Sequence, residues 1–165
     1  MDLKKIVSAC ALGALLVPAA ADAQPLAKRG SYAGKFIWAE HATVVPIEKD
    51  HMYTDAIHQG EFLNAAASGF LHGAAVVCTS QGHIQNDQFE FSGRCVATDK
   101  DGDKALLKWT CSRGGDRCVG TFDWNGGTGK YTGMRGRSQF DGGVIGQGPL
   151  GSIGDSNWKG EWELP

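Results

Sequence analysis

The sequence predicts an all-β fold: a single small antiparallel β-barrel of about eight strands. Three observations carry this prediction. Short segments alternate apolar and polar residues with a period of two, as in Tyr32-Ala33-Gly34-Lys35-Phe36-Ile37-Trp38. Glycine-rich turn dipeptides separate these segments at close spacing, with no long helical periodicity between them. No segment repeats at a period of roughly 20–50 residues, which excludes solenoids and propellers.

The chain opens with a different pattern. Lys4 and Lys5 precede an apolar run from Ile6 to Val17, and small residues follow up to Ala21-Asp22-Ala23. That order predicts a secretory signal peptide over residues 1–23, cleaved after Ala23. The apolar run is too short to span a bilayer. Val7-Ser8-Ala9-Cys10 resembles a lipoprotein box but precedes the apolar run, so no membrane anchor is expected. A flexible leader over 24–30 and a barrel domain over 31–165 follow. The expected location is outside the cytoplasm, periplasmic or secreted.

Charge excludes some partners. Sixteen Lys and Arg stand against eighteen Asp and Glu, for a net charge of −2. Basic residues are not clustered with aromatics, so no nucleic-acid surface is expected.

The strands are read in order. Tyr32 to Trp38 is the first, and His41 to Ile47 is a second β-like run. Residues 48–60 are polar and carry no clear pattern, while Glu61 to Ala67 reads as one or two helical turns. Leu71 to Thr79 and Phe89 to Thr98 follow, the latter with Phe89, Phe91, Gly93 and Cys95 on one face. Ala105 to Ser112 groups Leu107, Trp109 and Cys111, and Cys118 to Trp124 groups Phe122 and Trp124. Later candidates are Ser138 to Phe140 and Trp158 to Leu164. Asp101-Gly102 and Gly114-Gly115 supply turn residues that tolerate positive φ.

With Cys10 in the leader, Cys78, Cys95, Cys111 and Cys118 remain, an even number that fits an oxidising compartment. Four cysteines allow three connectivities. Cys78–Cys95 and Cys111–Cys118 are favoured because each pair flanks a hairpin; a zinc site lacks the C-x-x-C spacing.

Gly126-Gly127-Thr128-Gly129-Lys130-Tyr131-Thr132-Gly133-Met134-Arg135-Gly136 is the most distinctive segment. It reads as a tight glycine-rich connection leaving a strand, with Tyr131 as an apolar peg against the barrel end. It fails both the phosphate-loop and the dinucleotide patterns, so no cofactor is expected. The segment resembles the signature of the allene oxide cyclase and dirigent barrels, most of all their small exported bacterial relatives. Gly93-Arg94-Cys95-Val96-Ala97-Thr98-Asp99-Lys100-Asp101-Gly102-Asp103 is similar to a strand that precedes the glycine segment in that group. The resemblance covers residues 70–165 by motif and 31–69 by general layout. It implies an eight-stranded, allene oxide cyclase-like barrel with a hydrophobic interior, and it transfers no catalytic residue.

Candidate chemistry is sparse. Asp99, Asp101 and Asp103 mimic the start of a calcium loop, but Lys104 stands where its glycine belongs, so a solvated turn is the better reading. The five histidines, His41, His51, His58, His72 and His83, have no metal-ligand spacing, and no metal is expected. Glu40 continues the face of Tyr32, Phe36 and Trp38. It is the nominee for a general acid or base, against the plainer alternative that the strand has ended and Glu40 lies in water at the rim. Glu90 and Arg94 read as an outward polar row. The functional expectation is binding of a small hydrophobic molecule against Tyr32, Phe36, Trp38, Phe91 and Trp109. The alternatives are a cofactor-free cyclase or isomerase using Glu40, and an envelope interaction module without a ligand. The oligomeric state is left open.

Overall fold

The computed structural model describes residues 26–149 and 151–165. The expected signal peptide lies outside the described residues.

Eight antiparallel strands close into one barrel in sequence order, each paired with its neighbours and β8 returning to β1. They are β1 (Arg29–Glu48), β2 (His51–Asn64), β3 (Ala74–Gln85), β4 (Gln88–Thr98), β5 (Lys104–Gly114), β6 (Arg117–Gly127), β7 (Arg135–Gly148) and β8 (Gly151–Glu163). Closure leaves no open sheet edge around the core, and each strand sends alternate side chains inward. On β1 these are Tyr32, Phe36 and Trp38, all buried, as the alternation predicted.

Several assignments are corrected. The run His41–Ile47 is not a separate strand, because β1 continues unbroken to Glu48. Of the patternless residues 48–60, those from His51 onward form one strand, β2, which continues through Glu61, where helical turns were expected, and ends at Asn64. Pairing with β1 and β3 overrides the weak local signal, and Phe62 is fully buried between them. The strand expected from Leu71 begins at Ala74. β1 opens at Arg29, taking in the last residues of the expected leader.

The two ends of the barrel differ. At one end the connections are tight turns, with Asp50, Asn86, Asp87 and Gly115 at positive φ. Such turns cross between adjacent strands and cover nothing. At the other end the loops 65–73, 99–103 and 128–134 are longer and fold over the opening. Phe70 and Leu71 enter the barrel from the first of them, 6% and 2% exposed. Leu71 holds φ of 52°, a conformation uncommon for a bulky residue, fixed here by burial and by the Asn64 side-chain amide donating to the Phe70 carbonyl. Phe70 stacks on Trp162 at 5.0 Å between ring centroids.

The glycine-rich segment clamps this plugged end. A single 3-10 turn, Gly129–Tyr131, carries Tyr131 into the core, 2% exposed, as the expected peg. Gly129 has φ of 52° and sits against the Asp103 carboxylate, where a Cβ would collide. The Tyr131 hydroxyl donates to Asp99 Oδ2 at 3.0 Å, and the Lys130 N–H donates to Asp103 Oδ2 at 3.1 Å. Lys130 Nζ lies 2.7 Å from Asp99 and 2.5 Å from Asp101. Asp99 also accepts the N–H groups of Asp101 and Asp103. The three aspartates that mimic a calcium loop form a hydrogen-bonded turn, two of them bridged by Lys130 Nζ. Burial pushes the Asp99 carboxyl up; the hydrogen bonds from Lys130, the Asp101 N–H and Tyr131 outweigh it and hold the group below its ordinary range. Burial pushes the Tyr131 hydroxyl well above the usual tyrosine range, and the neighbouring Asp99 charge adds to this.

Two disulfides brace the sheet. Cys78–Cys95 joins directly opposed residues of β3 and β4, and Cys111–Cys118 spans the β5–β6 hairpin. Both are the favoured pairings. On the outer wall, Arg117 bridges Asp141 and Asp155 at 2.8 and 2.6 Å, and Lys35 meets Asp155 at 2.8 Å. This ion network runs from β6 across β7 and β8 to β1, over the seam where the barrel closes. Among the described residues no helix is long and apolar enough to cross a membrane.

Candidate ligand-binding cavity

The tight-turn end opens into a cavity of about 350 Å³. That volume lies at the lower end of the range for small-molecule sites. Its walls come from the inward face of every strand, so the site exists only because the barrel closes.

Aromatic rings form most of the wall. Phe36 from β1 and Phe122 from β6 pack on Trp158 from β8, with centroids 5.4 and 5.0 Å away, and these three make the lower wall. Trp109 from β5 meets Phe140 from β7 edge-on at 5.9 Å. Phe89 and Phe91 from β4 stack at 5.2 Å nearer the mouth. Trp38 spans β1 and β8: its ring lies over Gly154, where any Cβ would overlap it, and its Nε1 donates to Ser156 Oγ at 3.2 Å. Below this layer Phe62 stacks on Trp158, separating the cavity from the plugged end.

Four of the five residues expected to contact a ligand, Phe36, Trp38, Phe91 and Trp109, share this wall. Tyr32 does not line the cavity. It lies deeper, packed against Phe62, Phe70 and Trp124, and its hydroxyl shares a 2.8 Å hydrogen bond with Ser138. Burial there pushes the hydroxyl well above the usual tyrosine range, partly offset by the Ser138 hydrogen bond. Tyr32 is a floor residue because the chain enters the barrel at its plugged end. Both disulfides also lie along the cavity wall.

Glu40 faces the cavity. The strand does not end before it, and its side chain, 21% exposed, is opposed across the β1–β2 ladder by His58, 15% exposed. Glu40 Oε2 lies 2.8 Å from His58 Nε2, and the imidazole meets the Trp38 ring edge-on at 4.8 Å. This pairing depends on a bulge. The β1–β2 register shifts by one between Pro46 and Glu48, pairing Glu48 with His51 but Pro46 with Met52. Without that extra residue Gln59 would oppose Glu40 and His58 would face outward. His58 was not separable by sequence from the other histidines, because a bulge leaves no period-two signal. His41 and His72 are exposed, and His51 lies 3.6 Å from Glu48 beyond the cavity. Glu90 and Arg94 are exposed on the outer face, as expected. Among the described residues no group of three His, Cys, Asp or Glu side chains is placed to hold a metal.

The polar complement of the cavity is small. Thr54, Ser80 and Ser156 join Glu40 and His58 on the inner wall, and Asp116 lies at the rim on the β5–β6 turn. The arrangement is an apolar, aromatic recess with one carboxylate–imidazole pair near its mouth, able to orient a ligand and to exchange a proton with it.

The closed eight-stranded antiparallel barrel matches a dirigent and allene oxide cyclase-like fold. The chain is similar to the solved structure of the pterocarpan synthase dirigent protein GePTS1, with a TM-score of 0.50 and 10% sequence identity over 84% of this chain and 91% of that chain. At that identity the likeness shows the fold alone. No family model matches the chain, and no curated protein matches it.

Proposed function

We propose that this barrel binds a small apolar or aromatic molecule in its mouth cavity and does so outside the cytoplasm. The observation that carries the reading is the aromatic recess of about 350 Å³, closed below by Phe62 and Trp158 and open above. Closely packed small barrels fill their interiors with side chains; a retained apolar space is what a ligand would fill. Two disulfides and the signal-like N-terminal sequence support export. The relation to small exported relatives of the allene oxide cyclase and dirigent barrels belongs to the same reading. Titration of tryptophan fluorescence with a panel of aromatic and aliphatic ligands tests it. Saturable quenching by at least one compound is expected, since Trp38, Trp109 and Trp158 line the cavity. Absence of a response across the panel overturns it.

A second reading is a cofactor-free cyclase or isomerase. The Glu40–His58 contact at 2.8 Å favours it, because a carboxylate held by an imidazole beside an apolar recess can relay a proton to a bound substrate. In this reading Glu40 is the general acid or base and His58 positions it. Glu40→Gln then lowers turnover while substrate binding persists; equal turnover in the variant rejects the role.

A further inference from the structure

We propose that the mouth cavity selects an organic cation, an amine or quaternary ammonium group carried on a small apolar or aromatic skeleton. This rests on the reading of the cavity as a ligand site and names the chemistry it takes.

The wall combines two features that act in the same direction. Eight aromatic rings line it, and the faces of such rings attract positive charge. The carboxylates among the lining residues are Glu40 and Asp116, and no lysine or arginine among the described residues lines the cavity. His58 is held by Glu40. The nearby guanidiniums are accounted for. Arg117 is turned to the outer wall against Asp141 and Asp155. Arg113 lies at the rim, outside the lining, where it donates to the Asp87 carbonyl at 2.6 Å and sits 5.9 Å from the Phe89 ring centroid. Arg113 thus already uses one rim ring as a platform for positive charge.

An anionic ligand entering this mouth meets two carboxylates and finds no lysine or arginine in the lining to pair with. A neutral ligand gains only from apolar contact. A cation gains from contact, from the ring faces and from Glu40. Glu40 and His58 are 21% and 15% exposed, so the attraction is only partly screened by water.

Calorimetry and tryptophan quenching with three probes test the proposal: benzyltrimethylammonium, neopentylbenzene as its neutral isostere, and the smaller anion phenylacetate. The cation should bind roughly three- to thirtyfold tighter than the neutral probe, and phenylacetate weakest. Glu40→Gln should weaken the cation several-fold and leave neopentylbenzene unchanged. Asp116→Asn, on an exposed turn, gives a second variant that leaves the interior intact and should weaken the cation by a smaller factor. Neutral or anionic binding as tight as the cation overturns the proposal while sparing the ligand-site reading. Equal weakening of cation and neutral probe in Glu40→Gln also overturns it. Failure of all three probes to bind counts against both.

Discussion

Lys130 Nζ lies 2.7 Å from Asp99 Oδ2, and this contact ties the glycine-rich segment between β6 and β7 to the turn between β4 and β5. Asp99 also receives the Tyr131 hydroxyl and two backbone N–H groups, and its side chain is only 8% exposed. Asp99→Ala leaves those donors without a partner and should cost about 2–4 kcal/mol. Equilibrium denaturation checks this. A cost near zero would show that the clamp contributes nothing to the plugged end.

Asp99 and, on the outer wall, Asp155 link stability to acid pH. Asp99 and Asp155 both lie below their ordinary value of 3.8 in the folded protein. For Asp99 the bonds from Lys130, Asp101 N–H and Tyr131 overcome burial; for Asp155 the causes are Lys35 and Arg117. A carboxyl lowered on folding adds stability that is complete above its unfolded value and lost as pH falls through its folded value. Stability should therefore hold down to about pH 5 and fall below about pH 4. In the double variant Asp99→Asn, Asp155→Asn stability should be lower at neutral pH and fall less steeply in acid. Denaturation midpoints across this range provide the measurement.

The disulfides should contribute unequally. Cys78–Cys95 closes a separation of 17 residues and Cys111–Cys118 one of 7. Chain-entropy reasoning gives about 3 kcal/mol for the first and about 2.5 for the second. Replacing each pair by serine and comparing denaturant midpoints tests the order. Both losses should lower stability, the first pair by slightly more.

The sequence carried the fold further than it carried the site. Alternation on β1 placed Phe36 and Trp38 on the inner face, and the glycine segment placed Tyr131 at the barrel end, because both signals are local. β2 was illegible for a physical reason. Its inward positions hold Thr54, Ala56, His58 and Gly60, and its outward ones include Asp55, Gln59 and Glu61. On this cavity-lining strand those inward groups are small or polar, which erases the apolar alternation. Phe70 lies in a loop and has no period to read, so the plug was hidden. The meeting of Glu40 with His58 is fixed by one bulged residue near a distant turn, which no pattern at either position reports. Tyr32 shares the inward face of Phe36, but depth along the barrel separates floor from wall, and depth is set by the loops rather than the strand.

Ala56 lines the cavity from β2, 7% exposed, between Thr54 and His58. Ala56→Phe would project a ring into the open space and should leave the strand pairing intact. The most direct test of the central claim is native mass spectrometry of the wild-type protein and this variant, purified under oxidising conditions from the organism that makes it. The account predicts a retained molecule of small mass on the wild type and bare chain for the variant. Bare chain in both, or the same adduct on both, would contradict a ligand-holding mouth.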